Sequence, residues 1–318
     1  APGAMLDAAA SRRRADELIG WLRHYAETRI DARLIDERRC VPPHIVMDFG
    51  NRGLLGLQAP PARGGQGLTH ADAWRVLEQL GAVDLTLATL VFLHNTNGLV
   101  PLVRYAPPAL RDEFLPTLAA GRELAAFALS EPGAGSHLGA VEMRATPDGP
   151  DAWRLNGVKR WNAAAWAGVV TVFARLVGPD GRAGALTAFL MRTSEPGVRI
   201  GQESLTMGMR GIMQNALHFD DARVTRARIL GEPGRGMTIA TEVLTAGRLS
   251  MSAMCLGGVA RCLQLALRYA ERREIETGRL AENPQTLLPL GELAHRHAVE
   301  RELLARCAAR LDGGGRVE

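Results

Sequence analysis

The sequence predicts an α+β chain laid out as a helical stretch, a β-rich stretch and a second helical stretch. Apolar residues recur at helical spacing over 11–120 and again from Gly236 onward. Between them, 121–235 alternates short β-branched and aromatic runs with Gly, Asp and Pro turns. The expected division is an N-terminal helical domain over 1–120, a middle antiparallel β-barrel or sandwich over 121–235 and a C-terminal helical domain over 236–318. The 318 residues also exceed the ~250–300 that one hydrophobic core usually serves, so subdivision is expected.

Each element has a local reason. In RADELIGWLRHYAE, Leu18, Ile19, Leu22 and Tyr25 share one helical face. A helix is expected to end near Phe49, where Gly53 and Gly56 punctuate the chain. PPARGGQGLTH (60–70) reads as a loop, with Thr69 as N-cap of the helix ADAWRVLEQL. Apolar helices follow through LTLATLVFLHNTNG and PALRDEFLPTLAAG, and His94 and Asn95 inside the first are expected to hydrogen-bond structurally. AAFALS, WRLNGVKRW, GVVTVFARL, ALTAFLMR, GVRIG and ALHFDDARV are the expected strands. One long helix starts near Gly236, and another runs from about Leu287 to Leu311 before GGG stops it.

Composition excludes several classes. With 47% hydrophobic and 23% charged residues, the chain is neither a disordered tail, a collagen-like fibre nor a disulfide scaffold. The apolar runs 85–93 and 163–174 fall short of the ~20 residues a membrane span needs, so none is expected. No signal-like segment is read, and the opening APGAM is set aside. The charge is 38 − 34 = +4, carried almost wholly by arginine, because Lys159 is the sole lysine. Arg12, Arg13 and Arg14 read as a solvated helix face, and no aromatic-interleaved basic patch marks a nucleic-acid partner. Cys40, Cys255, Cys262 and Cys307 form no CxxC pair. Cys255 and Cys262 read as small buried side chains, no metal site is expected, and the expected compartment is a reducing cytoplasm.

The motifs sit around the β segment. FALSEPGAGSHLGA (127–140) is a strand running into a glycine-rich turn that offers backbone amides and hydroxyls to a polar ligand. LNGVKRWNAAA (155–165), LTMGMRGIMQNALHFDDARV (205–224), ILGEPGRGM (229–237) and LTAGRLSMSAMCLGGVARCLQLALRYAERRE (244–274) follow. In that order they resemble the acyl-CoA dehydrogenase family over roughly 15–312.

That resemblance implies FAD between the middle domain and the C-terminal helices, usually across a subunit boundary in a homodimer or homotetramer. Phe127, Leu129 and Ser130 would line the isoalloxazine, with Trp161, Asn162 and Ala163 beside it. Ser136 would lie near the thioester tail as a cofactor and substrate contact, Arg248 near the substrate, and Arg273 on the FAD diphosphate, where a guanidinium fork suits phosphate oxygens. The family removes a proton α to a thioester carbonyl while a β-hydride passes to the flavin, with donors aimed at the carbonyl oxygen. The implied partner is acyl-CoA or an acyl carrier protein.

Departures from the pattern bear on that chemistry. Ala163 replaces a family threonine whose hydroxyl bonds flavin N5, and Glu276-Thr277 replace Phe-Gly after Arg273. Gly247 stands where one branch keeps its glutamate base. Glu242 reads as a surface carboxylate, and the catalytic base is left unassigned. On family proportions the C-terminal bundle is partial, lacking on the order of 80 residues, about a helix pair. Another segment or subunit is then expected to cover its apolar side. A flavin monooxygenase or oxidase, and a non-redox binding domain, are the competing readings on the same fold.

Overall fold

The computed structural model describes residues 5–163 and 166–317, so Ala164 and Ala165 of the WNAAA motif lie outside the described residues. In chain order the helices before the sheet are α1 (Ala8–Arg29), α2 (Ala32–Arg38), α3 (Pro43–Arg52), α4 (His70–Val83), α5 (Leu85–Leu93), α6 (Leu99–Tyr105) and α7 (Pro108–Ala119). The strands are β1 (Ala125–Ala128), β2 (Arg144–Pro147), β3 (Ala152–Asn162), β4 (Val169–Val177), β5 (Ala183–Arg192), β6 (Val198–Glu203), β7 (Asn215–Thr225) and β8 (Ile229–Leu230). Then come α8 (Gly236–Arg272), a short hairpin of β9 (Glu274–Ile275) and β10 (Gly278–Arg279), and α9 (Pro284–Asp312).

Compactness divides the chain into two units, each assembled from separate stretches. One comprises Asp31–Gly67 and Leu90–Gly247; the other comprises Leu6–Ile30, Leu68–Thr89 and 248–317. The first holds the whole eight-stranded sheet, in the order β6-β7-β3-β2-β4-β5-β8 with β1 beside β4. It is mainly antiparallel, as expected, but β1 and β2 both pair parallel with β4. The short β2 was not legible as a strand because RATP carries a single buried residue, Ala145.

Both faces of β4 are buried, which explains its near-continuous run of apolar residues. Val169 and Phe173 face a cluster with Leu102, Phe114 and Leu118 from the helices. Val170 and Val172 face the opposite cluster with Met143, Leu155, Phe189 and Leu217. Between α5 and α6 the chain makes a π-helical turn, His94–Gly98. Its polar side chains satisfy main-chain groups: Asn95 Nδ2 donates to Leu54 O and Val91 O, and Leu57 N donates to Asn95 Oδ1.

In the second unit, Asp7 caps α1 and Thr69 caps α4, the latter accepting from Asp72 N at 3.3 Å. Buried Asp72 accepts from Ser11 Oγ at 2.8 Å and pairs with Arg12 and Arg75. Arg12 is therefore more than part of a solvated face. Helices α4 and α8 touch through their backbones: a Cβ on Gly81 would strike Met254's main chain, and one on Gly257 that of Glu78.

One expectation fails here. Cys255 and Cys262 are exposed, because the apolar periodicity of α8 includes a side bare in this unit. Met251, Leu265 and Tyr269 of α8 are also exposed, as are Leu288, Val299 and Leu303 of α9. The helices are also longer than their apolar runs. Leu85–Tyr105 and Gly236–Arg272 are long and apolar enough to match a membrane span, although 78% of the first helix's most apolar window is buried inside the fold. Among the described residues no His, Cys, Asp and Glu cluster is arranged to hold a metal ion.

Candidate flavin and thioester site

The glycine-rich motif begins inside the first unit, where β1 carries Phe127 into the interior against Phe173, ring centroids 4.8 Å apart. Leu129 is buried and Ser130 half-buried. The chain then turns tightly, with Glu131 N donating to Ala134 O at 2.9 Å and Ala134 N to Glu131 O at 3.1 Å. Past this turn Ser136 is exposed, and Gly133 and Gly135 face open space. A strand thus delivers an aromatic edge, and the turn presents a hydroxyl and unhindered backbone.

Strand β3 lies alongside. Arg160 N donates to Ser130 O at 2.9 Å, bringing the two motifs into one place. The β3–β7 pairing slips between Lys159 and Asn162, and Trp161 there takes φ +59°. An irregularity of this kind re-aims a side chain, and Trp161 stands 58% exposed under the guanidinium of Arg160, 5.3 Å from its ring. A left-handed φ on a bulky residue costs on the order of 1–3 kcal/mol, and such strain clusters at functional sites.

Asn162 behaves differently. It is 3% exposed, and neither end of its carboxamide has a hydrogen-bond partner among the described residues. Its cross-strand neighbour Asn215 leaves Oδ1 equally unsatisfied. Ala163 is half-buried and, with His94, Ala125 and Trp166, borders a cavity of about 20 Å³, enough for one water. His94 is wholly buried; Ala125 N donates to its Nδ1 at 3.1 Å, so Nε2 carries the proton and donates to Leu118 O at 3.0 Å. Desolvation pushes its pKa down to about 4.

The sequence reading missed the polar pair beneath these motifs. Lys159 is fully buried, with Nζ 2.6 Å from Glu131 Oε1 and 3.1 Å from Leu129 O. Glu131 also accepts from Glu142 N at 2.7 Å and Met143 N at 3.1 Å. Burial lowers the Lys159 pKa to about 8 against the opposing pull of Glu131. The available signal was a lone lysine in a chain that otherwise uses arginine.

Glu242 has its carboxylate engaged by the Tyr105 hydroxyl and by Arg104 Nη1 at 3.4 Å. Desolvation, reinforced by Glu242, pushes the Tyr105 pKa up to about 12. At Gly247 a Cβ would come within 3.2 Å of Asn97 Oδ1. Any longer side chain there requires Asn97 to give way.

Arg248 and Arg273 belong to the second unit. Both are exposed, and neither has an ion-pair partner among the described residues. Arg273 directly follows α8, with its N donating to Tyr269 O and its O accepting from Leu280 N. Glu276 and Thr277 form the turn of the β9–β10 hairpin that follows.

Family models described as the N-terminal, middle and C-terminal domains of acyl-CoA dehydrogenase match residues 14–122, 126–222 and 234–318. A probable acyl-CoA dehydrogenase of Mycobacterium leprae is 30% identical over 305 residues, 94% of this chain and 77% of that protein. The chain belongs to the acyl-CoA dehydrogenase family. The human mitochondrial short-chain specific acyl-CoA dehydrogenase is 32% identical over 243 residues, which cover 76% of this chain. The match spans 58% of the length of that relative.

Among solved structures, the butyryl-CoA dehydrogenase of Megasphaera elsdenii shares the fold with a TM-score of 0.89 at 23% identity, covering 95% of this chain and 80% of its own. The prolyl acyl carrier protein oxidase AnaB does so with a TM-score of 0.88 at 24% identity, covering 98% and 82%. At those identities the likeness is one of fold. The acyl-CoA dehydrogenase fold is the α+β architecture expected from the sequence, with helical, β-sheet and helical parts in that order.

Proposed function

We propose that this acyl-CoA dehydrogenase family member binds FAD and dehydrogenates an acyl thioester at the α,β position. The observation that carries the reading is the junction of the two motifs on one unit: the Phe127–Ser136 strand and turn beside the exposed, left-handed Trp161, tied by Arg160 N to Ser130 O. Phe127, Leu129, Ser130, Trp161, Asn162 and Ala163 would hold the isoalloxazine, with Ser136 serving both cofactor and thioester. Arg248 would face the substrate.

The residues fit such a cofactor. An arginine without an anionic partner among the described residues, Arg273, suits a diphosphate, and the backbone at Gly133 and Gly135 is open to close approach. When bound, FAD would supply the hydride acceptor. The chain's own contribution is to orient the thioester and to aim donors at its carbonyl oxygen, which stabilises charge as the α-proton leaves. Ala163 contributes no hydroxyl, so its backbone N–H is the donor left at that edge of the ring. Glu242 is engaged by Tyr105 and Arg104, position 247 carries no side chain, and the base is left unassigned.

The thioester is a free acyl-CoA or one carried on an acyl carrier protein. The test is anaerobic mixing of the purified yellow protein with butyryl-CoA and, separately, with a butyryl carrier protein. Bleaching of the flavin's visible band by either supports dehydrogenation and identifies the carrier. A colourless protein that takes up no FAD refutes the flavin reading. Turnover that requires NAD(P)H and oxygen makes it a monooxygenase.

A further inference from the structure

We propose that Lys159 and Glu131 are positioning residues: an internal strut that holds the main chain of Leu129 and Ser130 in place for the flavin. The inference rests on the flavin reading above and concerns groups lying behind the residues assigned to it.

The geometry is specific. Lys159 is 0% exposed and spends its ammonium on Leu129 O at 3.1 Å and Glu131 Oε1 at 2.6 Å. The next residue, Arg160, ties its N–H to Ser130 O at 2.9 Å. Consecutive carbonyls at the end of β1 are thus bound to consecutive residues of β3. Glu131 extends the grip to the far side of the glycine-rich turn through the N–H groups of Glu142 and Met143. Every polar contact of the pair goes to main chain or to its partner. Trp161, two residues beyond Lys159, inherits its placement from the same strand.

Burying an ion pair is a poor way to stabilise a fold, because a neutral replacement of similar shape is often as stable or more so. What the pair supplies is position. Its ligands are the backbone of the strand and turn that line the cofactor, and small displacements of such supports cost function well before they cost the fold.

The test compares the wild-type protein with the charge-free double variant Lys159→Met/Glu131→Gln and with Lys159→Arg, which keeps the cation and moves its donor atoms. FAD affinity is measured by titrating apoprotein, alongside the position of the flavin's visible band, its midpoint potential and thermal unfolding without FAD. The expected result is unfolding close to wild type, FAD affinity reduced on the order of tenfold or more and a displaced band and potential. Lys159→Arg is expected to shift the band with a smaller loss of affinity. Wild-type affinity, band and potential in either folded variant overturn the positioning role and leave the flavin reading intact. A wild-type protein without affinity for FAD overturns both.

Discussion

Asn162 is buried with a donor and an acceptor that bond nothing among the described residues. An unsatisfied buried polar group costs about 1–3 kcal/mol, so Asn162→Ile is expected to raise the unfolding free energy by that amount, read as a higher urea midpoint. An unchanged or lower midpoint would show that the carboxamide has a partner in solution. His94 leads to the second expectation at this scale. Its folded pKa of about 4 lies below the ordinary 6.5, so its contribution is whole above pH 6.5 and is lost as pH falls towards 4. The span corresponds to about 3 kcal/mol. His94→Gln should flatten the acid limb of a stability–pH curve, and a limb of unchanged slope refutes the assignment. Neither residue's energetics was legible in the sequence. His94 was readable as a structural hydrogen-bonder, but Asn162 was read only as a flavin neighbour, because burial without a partner is a property of two strands together.

The elements were legible where one chain segment decides its own fate. Thr69 caps α4, and the strands of 121–235 announce themselves by β-branched and aromatic runs. They were illegible where a neighbour decides. The parallel pairing of β1 with β4, the strand status of β2 and the exposure of Cys255 and Cys262 all depend on which face meets a partner. The contact of α4 with α8 is the sharpest case at this scale. Gly81 and Gly257 look like helix weaknesses in sequence, yet each lies against the other helix's main chain. A side chain there must push the backbones apart, which costs about 1–3 kcal/mol or more. Gly81→Val and Gly257→Val should each lower the unfolding temperature more than Gly291→Val, whose Cβ position on α9 is open. Equal effects at the three positions would refute a close crossing.

At the scale of the whole molecule, the motif order read in the sequence survives as one family architecture, but compactness groups the same residues into two units with interleaved stretches. Phe127 to Ala163 belong to one unit and Arg248 and Arg273 to the other. Arg273→Glu is accordingly expected to abolish FAD retention while leaving the far-ultraviolet circular dichroism unchanged; undiminished FAD occupancy would remove Arg273 from the diphosphate. The arginine-rich composition has a further consequence. Of the 38 basic residues one is a lysine, and it is sealed inside the fold. An amine-selective acylating reagent therefore finds no lysine on the surface of the fold. Attachment of such a reagent to Lys159 therefore counts the openings of the sheet-bearing unit, giving the molecule a built-in clock for its own breathing.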